Sequence, residues 1–421
     1  MQRILKGVLT KIKPIKTQEK RFKRVAEEFL KKLNAKLKNA HAILGGSGAK
    51  GTWLSGNHDI DIFVLFPLQK YRKESFRLSD LLEPSLRKAF PKQKIGRLHG
   101  SRDYFQLQYQ NYAFEVMPIL KISKANQAVN ITDVSPLHTR WVNAQAKKIK
   151  DDILLAKQFC KAQRLYGAES YIAGFSGYVL EILTVASGSF EKLLKAAQRW
   201  EIKEVIDVAR HYPKKNVFFE LNQSKLRSPL IVIDPVDPKR NAAAALSVEK
   251  FLQFKKVARE FLRKPAVSFF SREALSLQHL KKRAEKEKAN LVFLSLAPLR
   301  GKEDVVGMKL LKVYDFLKKR LSPFSLQESG WDWDAGEEAR FYFFLKKKML
   351  PAVEERQGPP VEMKEGVAAF KKKYQKTFIR EGRIMATMAF PHPDINSFVA
   401  EALKDSYVQE RVQRIKSVTI L

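Results

Sequence analysis

At 421 residues, with 45% hydrophobic and 11% aromatic side chains, the chain can bury several cores, which excludes a disordered protein and sets an expectation of about two to four domains. Its 79 lysines and arginines exceed its 44 aspartates and glutamates to give a formal net charge of +35, far beyond what solubility needs, and this points to a polyanionic partner, nucleic acid foremost. No apolar run approaches the roughly 18 residues of a membrane span, no secretory signal opens the sequence, and the single cysteine, Cys160, leaves no internal disulfide or cysteine-rich zinc site; a cytoplasmic location with no membrane partner is expected.

In chain order, residues 1–13 read as a helix stopped by Pro14, and Thr17 is the expected cap of a second helix whose apolar positions Phe22, Val25, Phe29, Leu33 and Leu37 recur at steps of three and four. Ala42 to Leu44 is a short strand leading into the turn Gly45-Gly46-Ser47-Gly48. Ala49 to Leu54 is expected to begin a helix, and Asp59 to Phe66 to form a strand. A helix is expected near Ser79 to Phe90, then a hairpin of Tyr104 to Tyr109 and Tyr112 to Pro118 turning at Gln110-Asn111. The helix from Asp151 to Tyr166, ended by Gly167, sets Leu155 and Phe159 on an apolar face and Lys157, Lys161 and Arg164 on a basic stripe. Ser176 caps a further helix, and Phe190 to Trp200 forms another. Pro229 to Ile233 is a compact strand; the segment Asp234-Pro-Val-Asp237-Pro-Lys239-Arg240-Asn241 reads as a stiff turn placing Lys239 and Arg240 at the mouth of a helix. Beyond a boundary near Lys264-Pro265, strands at Asn290 to Ala297, Ala339 to Leu345 and Arg383 to Phe390 alternate with a helix at Val305 to Leu321, which suggests a small α/β module. Lysines there interleave with Phe341, Tyr342, Phe343, Phe370, Tyr374 and Phe378, a pattern suited to RNA although most of these aromatics are expected in the core.

The chemistry concentrates at residues 45–66. Side chains at i and i+2 share one face of a strand, so Asp59 and Asp61 project together with Cα atoms about 6.5 Å apart and can share divalent cations. Hard cations such as Mg²⁺ bind through one or two carboxylates plus substrate phosphates. The Gly45 to Gly48 turn, including Gly46 and Ser47, can cradle those phosphates, with Lys50 close by. A GxxxxGK[ST] spacing is missing, which favours nucleotidyl transfer over an ATPase. Glu115, between the apolar Phe114 and Val116, is the candidate third carboxylate; a solvated edge-strand glutamate is the plainer alternative.

The stretch GGSGAKGTWLSGNHDIDIFVLF, together with FEVMP, SPLHTRW, RLYGAESYIAGFSGY, DPVDPKRN and RQGPPV, resembles the class I, archaeal-type CCA-adding enzymes, tRNA nucleotidyltransferases of the DNA polymerase β superfamily. The resemblance implies an α+β multidomain protein with a polymerase-β-like nucleotidyltransferase head at residues 1–143, a helical, nucleotide-selecting neck at 144–264, and a C-terminal α/β body and tail at 265–421. It implies template-independent addition of CCA to the 3′ end of tRNA from CTP and ATP. Asp59, Asp61 and Glu115 would be the catalytic carboxylates holding two Mg²⁺ ions, and Ser47 and Lys50 would contact the triphosphate. Ser135, His138, Lys157 and Tyr166 would line the nucleotide pocket, and Arg240 would help read the incoming base. The body and tail would grip the acceptor stem and TΨC arm; homodimerisation is left open. Two positions depart from the pattern. Ser101-Arg102-Asp103-Tyr104 stand where a pocket histidine is expected, and Lys50 stands where arginine is common, offering a point charge instead of a fork. A poly(A), A-only or C-only transferase is the alternative reading, as is an RNA-binding scaffold with an inert head, against which retention of all three carboxylates weighs.

Overall fold

A computed structural model describes residues 1–421 apart from 57, 58, 214, 215, 273, 274, 352, 390 and 391. The chain forms two compact units, Met1–Arg272 and Glu273–Leu421. Among the described residues no helix is long and apolar enough to cross a membrane.

In the first unit, α1 (Gln2–Ile12) buries Leu5, Val8 and Ile12, and α2 (Lys16–Asn34) buries Phe22, Val25, Phe29 and Leu33, the residues that its three-and-four spacing singles out. The second helix starts ahead of Thr17: Ile15 is its cap, and the Gln18 side chain accepts the Ile15 N–H at 3.0 Å. Then come β1 (His41–Leu44), α3 (Gly46–Lys50), β2 (Asp59–Pro67), α4 (Leu68–Tyr71), α5 (Leu78–Ala89), β3 (Ile95–Leu98), β4 (Tyr104–Tyr109) and β5 (Tyr112–Lys121). The five strands make one sheet in the order β1-β2-β5-β4-β3, in which β2 and β5 run parallel and the other neighbours antiparallel. Gln110 and Asn111 both take positive φ at the β4–β5 turn, the conformation a tight two-residue hairpin requires. Phe29 of α2 lies between Phe90 and Phe114, with ring centroids 4.2 and 3.9 Å away, and so ties helix to sheet. One expectation fails here. The helix after the glycine turn does not run to Leu54: α3 is a single turn that Gly51 ends in the left-handed conformation.

The same unit continues with α6 (Ser135–Gln145), α7 (Lys150–Ala162), α8 (Gly177–Ser187), α9 (Phe190–Arg199), β6 (Glu204–Ile206), α10 (Val217–Glu220), β7 (Leu230–Asp234), β8 (Asp237–Asn241) and α11 (Val248–Arg263) around a core rich in phenylalanine, including Phe159, Phe175, Phe190, Phe254 and Phe261. Ser176 caps α8 as expected, accepting the Val179 N–H. The α7 helix ends at Ala162 and not at Tyr166, because Arg164 takes positive φ. The segment after Ile233 also differs from expectation: Asp234 to Asn241 folds back as the β7–β8 hairpin, pairing Ile233 with Asn241, so Lys239 and Arg240 lie on a strand and not at a helix mouth.

The second unit comprises α12 (Leu277–Glu287), β9 (Asn290–Pro298), α13 (Glu303–Leu321), β10 (Leu326–Asp332), β11 (Ala339–Leu345), β12 (Val353–Pro360), α14 (Lys364–Lys373), β13 (Thr377–Arg380), β14 (Arg383–Ala389), α15 (Ile395–Lys404), α16 (Ser406–Gln409) and β15 (Val412–Ile420). Its two sheets, β10-β11-β9-β15 and β12-β14-β13, are antiparallel throughout. Phe341 and Phe343 are core residues, whereas Tyr342, Phe370, Tyr374 and Phe378 are half-buried. The expected last residue of β14, Phe390, lies outside the described residues, as do Asn57 and His58 of the opening motif.

Candidate active site

Strand alternation sets the carboxylates. Ile60 and Ile62 are fully buried on one face of β2, which turns Asp59 and Asp61 to the other. The parallel register pairs Asp61 with Glu115 of β5, and Phe114 and Val116 are buried on either side of that glutamate. Gln106, the antiparallel partner of Glu115 on β4, approaches its carboxylate at 3.4 Å. All three acidic side chains therefore share one sheet face at the starts of neighbouring strands.

Gly46 closes one side of this site. A Cβ at that position would stand 1.7 Å from Asp61 Oδ2, and its φ of +53° is one L side chains rarely adopt. The Gly45 N–H donates to the Asp61 carbonyl at 2.8 Å, so turn and strand are locked at the backbone as well. Burial, and then the charge of Asp59, push the Asp61 carboxyl above its ordinary range against the pull of Lys50 and Lys157. An all-oxygen donor set with adjacent negative charges fits a hard divalent cation such as Mg²⁺. In this conformation the carboxylates share a face without converging: among the described residues no three His, Cys, Asp or Glu side chains gather into a metal-binding cluster.

Behind Asp61 lies a buried charge cluster. Lys50 Nζ donates to Glu181 Oε2 at 2.7 Å, while Lys157 Nζ donates to Glu181 Oε1 at 2.7 Å and to the Oγ1 and carbonyl oxygen of Thr52 at 3.0 and 3.1 Å. The Thr52 hydroxyl donates to Glu181 Oε1 at 2.7 Å. Burial alone would raise the Glu181 carboxyl, but Lys157 and Lys50 outweigh it and bring it down to about 2. Burial lowers Lys157, partly offset by Glu181. The basic stripe of α7 is thus not uniformly solvated: Lys157 is buried and only Lys161 is exposed.

A second cluster adjoins it. His138 Nε2 lies 3.0 Å from Asp234 Oδ2, Arg240 Nη1 donates to the same oxygen at 2.8 Å, and the Tyr178 hydroxyl donates to Asp234 Oδ1 at 3.0 Å. The Tyr178 ring stacks on His138 at 4.0 Å and lies 5.2 Å from Lys50 Nζ, which joins the two clusters into one lining. Burial lowers the His138 pKa and so favours neutral imidazole; Asp234, whose own burial would raise it, is brought to about 2 by His138 and Arg240. Tyr166 is half-buried, and its hydroxyl sits so near Gly177 that a Cβ there would be 2.8 Å away. Ser135 is half-buried at the first residue of α6. At the position where a pocket histidine is expected, Arg102 is instead a buried structural residue paired with Asp133 at 2.6 Å. Sequence reading missed Thr52, Tyr178, Glu181 and Asp234; the available signal was a glutamate inside the apolar run of α8.

The chain is 33% identical over 380 residues to the CCA-adding enzyme of Methanosarcina mazei, covering 88% of this chain and 81% of the relative. It is 34% identical over 343 residues to that of Nanoarchaeum equitans, covering 81% and 82%. The chain belongs to the CCA-adding enzymes. Three family descriptions match this CCA-adding enzyme in order: a nucleotidyltransferase domain at residues 26–133, the second domain of tRNA nucleotidyltransferase at 151–271, and the C-terminal domain of CCA-adding enzymes at 303–414. The first span holds the three carboxylates, and the second holds Lys157, Glu181, Asp234 and Arg240. In fold it is similar to a cytoplasmic RNA terminal U-transferase (TM-score 0.51, 11% identity, 65% of this chain and 100% of that one). It is likewise similar to the Cid1 poly(U) polymerase (TM-score 0.51, 12% identity, 64% and 98%), so the polymerase-β-like nucleotidyltransferase architecture is shared at low identity.

Proposed function

We propose that this CCA-adding enzyme extends tRNA lacking its 3′ terminus by C, C and A, using CTP and ATP without a nucleic-acid template and releasing pyrophosphate. The observation that carries the reading is the parallel register that sets Glu115 opposite Asp61, with the Asp61 carboxylate lying on Gly46. Asp59, Asp61 and Glu115 are the residues suited to hold two Mg²⁺ ions, which when bound supply a lowered pKa at the attacking 3′-hydroxyl and counter-charge for the departing pyrophosphate. Gly46 and Ser47 let phosphate approach the backbone, and Lys50 places a point charge beside it. His138 is oriented by Asp234, and because bound metal ions would activate the 3′-hydroxyl no histidine base is needed, so it is assigned to binding. Arg240, braced by Asp234, presents its guanidinium to the edge of the incoming base together with the RNA end; Ser135, Lys157 and Tyr166 complete the lining. In this reading the head spans residues 1–143, the neck 144–264, and the body and tail, which grip the acceptor stem and TΨC arm, 265–421.

Incubation with CTP, ATP and a tRNA ending at its discriminator base, followed by sequencing of the 3′ end, tests the reading. Growth by C, C and A and no further is the expected product. An extended A tail, or addition of only one nucleotide type, overturns it in favour of a different terminal transferase.

A further inference from the structure

Asp234 joins the residues on the base side of the candidate site, and its two oxygens are held by different partners. It is fully buried at the end of β7. Oδ2 lies 3.0 Å from His138 Nε2 and accepts Arg240 Nη1 at 2.8 Å, whereas Oδ1 accepts the Val236 N–H and the Tyr178 hydroxyl, both at 3.0 Å. The terminal torsion of an aspartate is soft, and its rotation moves both oxygens together, so the donors on Oδ1 determine where Oδ2 points. Val236 belongs to the same turn as Asp234. Tyr178 comes from a separate element: it sits in the first turn of α8, which Ser176 caps, and its ring is stacked on His138 at 4.0 Å. Burial and then the Asp234 charge raise the Tyr178 hydroxyl, so it stays protonated and donates. Arg240 is half-buried on β8 with Nη1 committed to Oδ2, and the plane of its guanidinium follows that oxygen.

We propose that Tyr178 is a positioning residue for base selection: its hydroxyl fixes the Asp234 carboxylate, which in turn fixes the angle at which Arg240 meets the incoming base. The proposal rests on the reading of Arg240 as a base contact and adds what aims it. A guanidinium donates and never accepts. Cytosine and adenine offer a ring-nitrogen acceptor on the pairing edge beside an amino group, whereas uracil and guanine place a ring N–H there. A correctly aimed donor therefore favours the first pair and opposes the second. Aim matters as much as charge, because a guanidinium left free to swing can meet a carbonyl oxygen of the wrong base instead.

The test compares Tyr178→Phe, Arg240→Gln and the double variant. The ratio of kcat/KM values is measured for CTP against UTP on a tRNA ending at its discriminator base, and for ATP against GTP on one ending in CC, with melting curves alongside. Phenylalanine keeps the ring on His138 and removes only the hydroxyl. Loss of a hydrogen bond to a charged group corresponds to about tenfold or more, so Tyr178→Phe is expected to lower both ratios by about that factor. In the Arg240→Gln background the second substitution is expected to lower them no further, as for residues that act through one contact. A merely structural defect lowers kcat/KM for all four nucleotides alike; that result, with both ratios at wild-type values, overturns the proposal. If Arg240→Gln itself leaves the ratios unchanged, the base-contact reading of Arg240 falls and the proposal with it. If Arg240→Gln lowers them but Tyr178→Phe does not, or the two effects multiply, the positioning role falls while that reading stands. Should Tyr178→Phe fail to fold, Asp234→Asn keeps the shape of the side chain but removes the charge that holds Arg240; it is expected to show the same fall, and wild-type ratios would overturn the proposal.

Discussion

Gly46 is the residue on which the site depends most directly. A β-carbon at this position would lie 1.7 Å from Asp61 Oδ2, so even a methyl group forces the carboxylate or the turn to move, and the φ of +53° adds backbone strain. Displacement of a reacting group by about 1 Å costs on the order of 100-fold, so Gly46→Ala is expected to lower kcat for CTP incorporation by about that factor or more. Labelled-nucleotide incorporation measures this, with a melting curve to establish that the fold survives. Asp59 and Asp61 are legible in the sequence because the i, i+2 period of a strand is local. Glu115 is legible only as a misplaced charge; its partner depends on β2 lying next to β5 in parallel register, which no local pattern specifies. The pairings of Glu181 and Asp234 are not legible, since their partners Lys50 and His138 lie 131 and 96 residues away along the chain. Lys157 shows the limit of periodicity: spacing tells which residues share a helix face, not whether that face meets water.

At the scale of elements, most helices and strands follow from apolar spacing, as in α2, α5, α9 and α13, or from a cap, as at Ser176 of α8, because each signal lies within or beside the element. The failures occur where one backbone conformation decides the outcome, at Gly51 after α3, at Arg164 after α7, and at the fold-back of β8 on β7. The α8 helix adds an energetic consequence, since it carries Glu181 into a position where its charge must be met by elements on both sides. A carboxyl depressed in the folded state binds fewer protons there than in the unfolded chain. Its stabilisation is therefore complete above the ordinary value of 4.5 and is lost as pH falls from 4.5 toward about 2. Removing one partner of a buried ion pair costs about 3–5 kcal/mol, so Glu181→Gln is expected to be less stable than wild type by roughly that amount at pH 6. Urea unfolding at a series of pH values is expected to show the gap narrowing as the medium is acidified below pH 4.5. A gap independent of pH would mean that packing, and not charge, fixes α8. Asp61 has the opposite sign: its raised carboxyl favours the folded state as pH falls, so the two groups partly offset one another in acid.

At the scale of the whole molecule the dominant property is the net charge of +35. The cations of the candidate site contribute little to it, because two of the three charges of Lys50, Lys157 and Arg240 are offset by Glu181 and Asp234. The excess lies in exposed groups such as Lys371, Lys372 and Lys373 in the last turn of α14, where solvated ammonium groups can meet phosphates without a desolvation cost. If tRNA is the polyanion this charge serves, binding releases condensed counterions, and log K falls linearly with log salt by about 0.7 to 0.9 per phosphate neutralised. An interface of about six phosphates then loses on the order of 1000-fold in affinity between 50 and 200 mM salt, as fluorescence anisotropy with a tRNA lacking CCA can measure. Replacing Lys371, Lys372 and Lys373 together by alanine is expected to make that slope shallower by up to about 2 to 3, since each lost phosphate contact removes its own released counterion. A wild-type slope near zero would separate the charge from RNA binding altogether. A steep slope left intact by the triple substitution would place the phosphate contacts on other basic side chains, because counterion release depends on which charges face the RNA and not on the net charge of the chain.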